Sequence, residues 1–396
     1  MPGVREWVAY VGPFRFPWGQ ACSRRVHGIA SSLAAGGYDV VVASGEEGPA
    51  APSRLAEVDG PGSVSHLGLG ELPSVGDNLL SKSAQVILWS GRTTLAWLDA
   101  QATKPSHVIV YGGGTQYMVR LRRWCRGNRV PLIADVVEWH SPRQLIGGLF
   151  GPIHIGAKIA LRYHYPRCDG VIAISSFLEG HYRERGCRAI RVPPTLDVLG
   201  LPVNAPPGVP DRSGLTVVYA GTPGRKDLLA NVIHGVDRVA RAGGDVRLHV
   251  VGPSPAEVRR LLGAPPPSSV RVLGRLPQPD VSNVLRQADF SVLLRRPARF
   301  AQAGFPTKFC ESLANGIPVI ANLTSDLGRY LNDGVEGIVC VDHSAEALAV
   351  ALGRALRLSA EERTVMRKAA RERALESFDF RTYATSLSGF LEEVRA

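Results

Sequence analysis

The sequence has no apolar run as long as the ~18 to 20 residues that a membrane-spanning helix needs. Its nearest approach, Leu145 to Leu161, is interrupted by His154, Lys158 and several glycines. The first residues, MPGVREWVAYVG, lack the basic region and apolar core of a signal peptide. We therefore expect a cytoplasmic protein that contacts, at most, the inner membrane surface.

Clustered cysteines are also missing. The six cysteines are scattered along the chain and none forms a CxxC pair: Cys22, Cys125, Cys168, Cys187, Cys310 and Cys340. This distribution favours reduced thiols in a cytoplasm and argues against a disulfide framework or a zinc site.

Several catalytic signatures are absent as well. The sequence contains no DxD, HExxH, P-loop or GxSxG motif. A loop with Gly12 and Gly19 follows the first strand pattern, but the seven-residue spacing is not the GxGxxG fingerprint of nicotinamide binding. The pair of acidic residues that anchors a metal and a diphosphate is therefore missing, and we expect neither a metal ion nor another cofactor.

The net charge of +11 leaves three classes of partner open: an anionic ligand, an anionic membrane surface or nucleic acid. Much of this charge comes from arginine in Arg/Glu-rich helices. It is therefore equally consistent with a compositional bias that has no functional role. None of the usual RNA- or DNA-binding motifs occurs, so we expect no nucleic-acid partner.

Short apolar, β-branched runs alternate with helical patterns from end to end, as in EWVAYVG, YDVVVASG, HVIVYGG, LTVVYAG and VRLHVVG. Strands that are apolar throughout and linked by helices predict parallel sheets covered on both faces. The proline-rich stretch LGLPVNAPPGVPDRSG interrupts the alternation and is typical of a linker. We therefore predict an α/β protein with four parts: a first Rossmann-like domain (1–198), a linker (199–213), a second doubly wound domain (214–375) and a final helix (376–396) that packs back on the first domain.

The most informative stretch is GFPTKFCESLANGIPVIAN, residues 304 to 322. Pro306 breaks the preceding element, Thr307 is a good helix N-cap, and a buried strand follows the helix. Free N–H groups at a helix start attract anions, and Lys308 adds a positive charge beside them. Glu311 lies one turn further on, where its carboxylate could accept hydrogen bonds from a sugar diol. This arrangement predicts a nucleotide site.

Three other segments place functional residue types directly after strands, where ligands bind in open α/β sheets. The first loop offers Gly19 for close backbone approach. In YAGTPGRKDLL, Gly221 precedes Arg225 and Lys226, two cations suited to a diphosphate leaving group. In ADVVEWHSPRQ, His140 is the main candidate, with Glu138 and Asp135 ranked below it.

The order of these elements resembles the retaining GT-B glycosyltransferases of the family 4 (group 1) type, in which two doubly wound domains face each other across a cleft. The resemblance covers nearly the whole chain and is carried by the Gly19 loop and by CDGVIAISSFLEGHY, RVPPTLD, YAGTPGRKDLL, VRVLGRLPQPDVSNVLRQADFSVLL and FPTKFCESLANGIPVIAN.

The resemblance implies a metal-independent hexosyltransferase that moves a sugar from a nucleotide diphosphate donor, with UDP favoured, to an acceptor glycan, lipid carrier or natural-product aglycone. Catalysis would involve His140 on the acceptor side, Lys226 on the phosphates and Glu311 on the ribose. The remaining donor contacts implied are Gly19, Gly221, Thr222, Arg225, Gly274, Arg275, Leu276, Pro306, Thr307 and Lys308.

The sequence departs from the family pattern at two positions. Ala303 stands where members commonly carry a first Glu, and Thr222 stands where they carry an Arg. Two alternatives therefore stay open beside the transferase, namely a nucleotide-sugar epimerase and an inactive nucleotide-sugar-binding homologue. A nicotinamide dehydrogenase would need a fingerprint glycine loop and an acidic residue at the end of the next strand. Glu46 meets the second requirement, but the loop before it does not meet the first.

Overall fold

The computed structural model describes residues 6–17, 21–49, 51–55, 60–72, 91–139, 151–201, 214–221 and 227–395. The chain forms two compact units, one of residues 1–196 with 380–396 and the other of residues 197–379. The first boundary lies two residues before the predicted end of the first domain, and the returning segment begins at Phe380 instead of residue 376.

Fourteen strands occur in the described chain, at β1 (Trp7–Gly12), β2 (Asp39–Ser44), β3 (Ser53–Arg54), β4 (Ser63–Gly68), β5 (His107–Tyr111), β6 (Leu132–Val136), β7 (Gly170–Ala173), β8 (Ala189–Arg191), β9 (Leu215–Ala220), β10 (Val246–Val251), β11 (Val270–Gly274), β12 (Phe290–Leu293), β13 (Val319–Asn322) and β14 (Gly337–Cys340).

The α-helices within the same ranges are α1 (Ala21–Ala35), α2 (Arg92–Asp99), α3 (Thr115–Asn128), α4 (Pro152–Ile159), α5 (Ser176–Arg183), α6 (Leu229–Arg241), α7 (Pro255–Leu262), α8 (Gln278–Gln287), α9 (Arg299–Ala303), α10 (Thr307–Ala314), α11 (Ala345–Leu356), α12 (Ala360–Phe378) and α13 (Ala384–Arg395). A π turn (Ala160–His164) and a 3-10 turn (Tyr165–Arg167) extend α4.

Each unit contains one sheet. The first has the order β3-β4-β2-β1-β5-β6-β7-β8, and among its described strands only the β3–β4 pair is antiparallel. The second has the order β11-β10-β9-β12-β13-β14 and is parallel throughout. Because consecutive parallel strands need a crossover, helices cover both faces, and strands such as β6 and β13 are buried at every residue. The prediction of two doubly wound α/β domains is confirmed.

The last helix, α13, packs on the first unit. Its apolar side chains Leu387, Phe390, Leu391 and Val394 belong to the same core as β1 and α1. His107 in β5 contacts the Leu391 carbonyl oxygen at 2.9 Å through its Nε2 atom. Helix α13 thus completes the core of the first unit.

Candidate functional site

The second sheet reverses its strand order between β9 and β12. The chain moves outward from β9 through β10 to β11, then returns to the other side of β9 with β12, β13 and β14. In parallel sheets, ligands bind beyond the carboxyl ends of the strands at such a switch point. Asp227 follows β9 and Arg295 follows β12, so both lie at this point, where an isolated antiparallel bridge joins their backbones.

Helix α10 delivers Lys308 to the same place. Pro306 is the N-cap residue, with no side-chain capping hydrogen bond, and Thr307 is the first helical residue. The expected Thr307 cap is therefore wrong: proline, which cannot donate a backbone hydrogen bond, ends the preceding segment one residue earlier. The first N–H groups of a helix have no acceptor within it, so the start of α10 keeps donors for an anion.

The Lys308 ammonium makes three polar or electrostatic contacts. Its Nζ atom donates to Asp227 Oδ2 at 2.5 Å and to the Tyr219 hydroxyl oxygen at 2.9 Å. It also lies 4.3 Å from the centre of the Tyr219 ring. The Tyr219 hydroxyl in turn donates to Asp227 Oδ2 at 3.4 Å. Three side chains from β9, from the residues before α6 and from α10 therefore form one network.

Arg295 holds the other oxygen of the same carboxylate. Its Nε atom lies 3.4 Å from Asp227 Oδ1, and its side chain is almost fully buried. The side-chain amide of Asn322, at the end of β13, fixes the Arg295 backbone: Oδ1 accepts from Arg295 N and Nδ2 donates to Arg295 O, both at 2.8 Å. Asp227 is thus shared between two cations, each from a different element.

Gly221 makes room for Lys308. It has φ +132°, and a Cβ atom at this position would lie 2.3 Å from Lys308 Cε and 2.9 Å from Nζ. A side chain here would therefore be strained by the backbone and would also collide with the lysine. Gly221, directly after β9, thus leaves the space that the end of the Lys308 side chain occupies.

Burial and charge shift two pKa values in the network. Burial lowers the pKa of Lys308, against the opposing effect of the Asp227 carboxylate. Burial raises the pKa of Tyr219 well above its usual value, and the neighbouring Asp227 raises it further. The tyrosine is therefore a neutral donor near pH 7, and Asp227 keeps Lys308 charged against the cost of burial.

Glu311 lies on the same face of α10 as Lys308, three residues further along, and is half-buried. Its backbone carbonyl accepts hydrogen bonds from the Asn315 side chain and backbone at the end of the helix. One helical face therefore presents a cation and a carboxylate about 5 to 6 Å apart at their Cβ atoms.

Three predicted donor contacts, Gly274, Arg275 and Leu276, lie at and directly after the end of β11. Gly274 has φ +72°, a Cβ atom there would meet nothing within 4 Å, and its carbonyl accepts from Gly252 N at 2.7 Å. Arg275 is exposed, whereas Leu276 packs against a small core cluster that includes Val251 and Ile317. The turn therefore offers backbone groups to a ligand, while the Leu276 side chain serves the core.

Part of the predicted site lies outside the described residues, namely Gly19, His140, Thr222, Arg225 and Lys226. The described predictions Gly221, Lys308 and Glu311 occupy the switch-point region together, and Gly274 ends a strand at the same edge of the sheet. Ala303, at the position of the family's first Glu, is fully buried in α9.

In the first unit, Asp135 is structural. It is buried at the end of β6, where it pairs with Arg25 Nη2 at 2.8 Å and accepts from the Tyr10 hydroxyl at 2.5 Å. Arg25 also donates to the carbonyl oxygens of Val192 and Pro193 at 2.6 and 2.9 Å. This ion pair ties α1 and β6 to the turn after β8. Glu138, two residues beyond β6, is half-buried.

Sequence reasoning missed Asp227, Tyr219 and Arg295 as parts of the network. Asp227 directly follows Lys226, in a segment where the cations carry the stronger signal. Tyr219 and Arg295 carry no local signal, because each is recognisable only once β9 and β12 are neighbours.

Two further features are absent from the described ranges. No helix there is both long and apolar enough to cross a bilayer. No group of three or more His, Cys, Asp or Glu side chains in those ranges is arranged to hold a metal ion.

The fold and its switch-point site define a GT-B protein, and solved structures agree over nearly the full length. Sucrose-phosphate synthase from Thermosynechococcus elongatus has a TM-score of 0.71 at 17% identity, covering 98% of this chain and 99% of that one. HepE of Anabaena, solved with UDP and glucose, has a TM-score of 0.63 at 15% identity, with coverage of 98% and 99%.

Two family profiles match the sequence. "Glycosyl transferase 4-like domain" matches residues 21–195, and "Glycosyl transferases group 1" matches residues 214–357. The chain belongs to the GT-B glycosyltransferases of the family 4, or group 1, type.

A curated relative is more similar in sequence but shorter in overlap. WcaL of Escherichia coli K12, whose name assigns it provisionally to the glycosyltransferases of colanic acid biosynthesis, is 24% identical over 269 residues. The match covers 63% of this chain and 64% of WcaL. The chain thus spans less than two thirds of the curated relative that it matches.

Proposed function

We propose that this protein is a retaining glycosyltransferase that moves a sugar from a nucleotide diphosphate donor, a UDP-sugar, to an acceptor hydroxyl. The observation that carries the proposal is the position of Lys308 at the start of α10, against Asp227, at the switch point of the second sheet. That contact brings a helix start with free N–H donors beside Asp227, directly after the two cations of the sequence motif.

The leaving diphosphate is stabilised by the segment from Gly221 to Asp227 and by α10. Arg225 and Lys226 supply positive charge from the segment, and the N–H groups at Thr307 and Lys308 supply donors from the helix. Because Asp227 already offsets part of the Lys308 charge, we assign the lysine side chain a second role, that of holding Asp227 and α10 together. No metal ion enters this scheme.

The nucleoside lies along the same edge of the sheet. The Glu311 carboxylate accepts hydrogen bonds from the ribose hydroxyls, and the backbone of Gly274, Arg275 and Leu276 holds the base. UDP is the preferred donor nucleotide because solved HepE structures contain UDP or UDP-glucose.

Transfer proceeds with retention. The bond between the anomeric carbon and the diphosphate breaks, and the acceptor oxygen bonds to that carbon on the face that the diphosphate leaves. The acceptor proton passes to the departing diphosphate. His140 orients the donor sugar or the acceptor without forming a covalent bond. Gly19 contributes a backbone contact to the donor.

The acceptor is a glycan, a lipid carrier or a natural-product aglycone, and we place the reaction in the cytoplasm at the inner membrane surface. The name of WcaL, which refers to the biosynthesis of a polysaccharide, supports a glycan acceptor.

A panel of nucleotide sugars tests the donor. A donor at 100 times its Kd stabilises the folded protein by about 2.7 kcal/mol, which raises the melting temperature measurably. We expect UDP-sugars to raise it more than GDP- or TDP-sugars, and the free sugars to leave it unchanged. Equal melting temperatures across the whole panel would overturn the proposal.

Product analysis tests the reaction. Incubation with donor and acceptor should give an α-linked product from an α-linked donor, read from the anomeric coupling by NMR. A 2-epimer formed from donor alone would indicate an epimerase instead. Binding of donor with no consumption at all would indicate a non-catalytic homologue.

The variant Lys226→Ala tests the phosphate site. Turnover should fall by about 100-fold or more, since developing charge on the leaving group loses a cation, while the melting temperature stays unchanged. The matched control is Lys368→Ala, which removes a lysine that is 79% exposed in the same unit. Wild-type turnover in Lys226→Ala would exclude this role for Lys226.

A further inference from the structure

The helical segment from α4 through the two turns that follow it presents an apolar stripe to solvent. Ile155, Ile159 and Tyr163 are 44%, 38% and 49% exposed and recur at intervals of four residues. On a helix this spacing places all three side chains on one face. The opposite face is buried through residues that include His154 and Leu161. The exposed stripe is therefore separate from the face that packs on the core.

Cations surround this stripe. Lys158 and Arg162 are exposed between its members, and the Arg167 guanidinium lies 3.7 Å from the centre of the Tyr163 ring. No acidic residue occurs from 151 to 168. A helix with an exposed apolar face and basic flanks is typical of proteins that bind in the interface of a membrane.

A cavity lined by arginine adjoins the stripe. It has a volume of about 440 Å³ and is lined by Arg122, Arg126, Arg129, Arg167, Arg188 and Arg395, with Asp169 as its single acidic residue. The Asp169 carboxylate accepts a hydrogen bond from Leu132 N. Arg167 belongs to both features, because it lines the cavity and stacks on Tyr163.

Some of these arginines are already engaged. Arg188 donates to the Glu393 carbonyl oxygen at 2.8 Å, and Arg395 pairs with Glu6. The cations of α3 have no acidic neighbour in the sequence, since residues 112 to 134 contain no Asp or Glu. The cationic side chains of the surface therefore come mainly from α3 with the residue that follows it and from the segment from α4 to Arg167.

We propose that this surface, defined as the Ile155–Ile159–Tyr163 stripe with the adjoining arginine cavity, docks on an anionic lipid bilayer. The three apolar side chains enter the boundary between headgroups and acyl chains, and the arginines contact lipid phosphates. Charge complementarity selects this occupant: a purely apolar partner would leave the cations unpaired, and a free phosphate would leave the stripe exposed to water. The inference does not depend on which sugar or acceptor the protein uses.

Vesicle flotation with the full chain tests the proposal. We expect binding to phosphatidylcholine vesicles that contain about 30 mol % phosphatidylglycerol to exceed binding to pure phosphatidylcholine vesicles by about tenfold or more at low salt, and to weaken as salt screens the charges. Equal binding to both vesicle types, or no binding to either, would overturn the proposal.

Matched variants locate the contact. The triple variant Ile155→Ser/Ile159→Ser/Tyr163→Ser should lose most of the binding, and Lys158→Gln/Arg162→Gln should lose the preference for anionic vesicles. The control Val341→Ser/Val350→Ser/Val365→Ser also removes three exposed apolar side chains, but from the second unit, and should bind like wild type. Equal losses in the control and the first triple variant would refute a specific surface.

A fluorescent reporter makes the test independent of stability. Because the chain has six native tryptophans, each variant is compared with wild type. Ile159→Trp should show a larger blue shift on vesicle binding and stronger quenching by brominated lipids than wild type. Val350→Trp, at a site that is 68% exposed on α11, should exceed wild type in neither. An unquenched Trp at position 159 in vesicle-bound protein would place the contact elsewhere and overturn the assignment.

Discussion

The Lys308 ammonium donates a hydrogen bond of 2.5 Å to the Asp227 carboxylate, 81 residues earlier in the chain. The pair joins the residues after β9 to the start of α10, and Arg295 shares the same carboxylate. The residues proposed to hold a diphosphate thus flank a preformed ion-pair network. Its energetic importance can be measured directly.

The first prediction concerns this ion pair. Asp227→Ala should cost about 2 to 4 kcal/mol of unfolding free energy, because it leaves the Lys308 and Arg295 charges without their carboxylate. We expect a cost near the lower end of the range for breaking buried ion pairs, because the Lys308 side chain is 22% exposed. Chemical denaturation of Asp227→Ala, Lys308→Met and the double variant should give a coupling energy of about 1 to 2 kcal/mol.

The control cycle uses Lys368 and Glu372, an exposed i,i+4 pair at 3.8 Å on α12. Its coupling should be about 0.5 kcal/mol or less. A coupling energy between Asp227 and Lys308 as small as that of the control pair would show that their contact does not hold α10 to the residues after β9.

The second prediction concerns Gly221. Gly221→Ala should destabilise the fold by about 1 to 3 kcal/mol from the backbone alone and should also displace Lys308, so that nucleotide binding weakens. Calorimetric titration with UDP measures the affinity. Gly243→Ala is the control, because Gly243 also has a positive φ (+89°) but its Cβ would meet nothing within 4 Å. Equal UDP affinity in the two variants would show that the Lys308 position does not affect donor binding.

The third prediction concerns the buried ion pair of the first unit. Arg25→Met should cost about 3 to 5 kcal/mol, because it leaves the Asp135 carboxylate buried without a cation. Tyr10→Phe should cost about 1.5 to 3 kcal/mol, since one hydrogen bond to a charged group is lost. Arg238→Met, which breaks an exposed pair with Glu346, should stay within about 1 kcal/mol of wild type. A cost for Arg25→Met similar to that of Arg238→Met would contradict the structural role of Asp135.

The fourth prediction concerns pH. Burial lowers the pKa of His66, His107 and His164 below the ordinary 6.5, so the unfolded chain binds protons more readily at these positions. The corresponding stability is complete above about pH 6.5 and is lost as pH falls from there toward the folded-state pKa values. Unfolding free energies measured from about pH 7.5 down to about pH 5 should therefore decrease.

His164 is the sharpest case. It is 1% exposed, and neither ring nitrogen has a hydrogen-bond partner within the described chain. His164→Leu should raise stability at pH 7 by about 1 kcal/mol or more and reduce the loss in acid. His234→Leu, at an exposed site on α6, is the control for the substitution itself. An unchanged profile in His164→Leu would show that this imidazole does not contribute.

Strands of the core are predictable because their signal is local. Runs such as VPLIADVV and LTVVYA are apolar at nearly every position, and β6 and β9 lie within them. Strand β4 escapes prediction because SVSHLG mixes serine and histidine with few apolar residues, although alternate positions are buried. Its assignment depends on pairing with β2.

The site residues also fall into those with a local sequence signal and those without one. Lys308, Glu311 and Gly221 are evident in the sequence because a turn, a helix start and a glycine after a strand are recognisable within a few residues. Asp227 has no such local signal, and Asp135, at the end of a strand, suggests a functional role in the sequence, whereas in the structure it forms an ion pair with Arg25. Both aspartates have cationic partners that are distant in sequence.

The sequence by itself determined the alternation of strands and helices, the two-domain order and the family, because these follow from local periodicity and short motifs. Only the tertiary structure decided which charges meet, since Lys308 and Asp227, like Arg25 and Asp135, come together through strand order. Burial then sets their energetics, because an ion removed from water must find its partner across the fold.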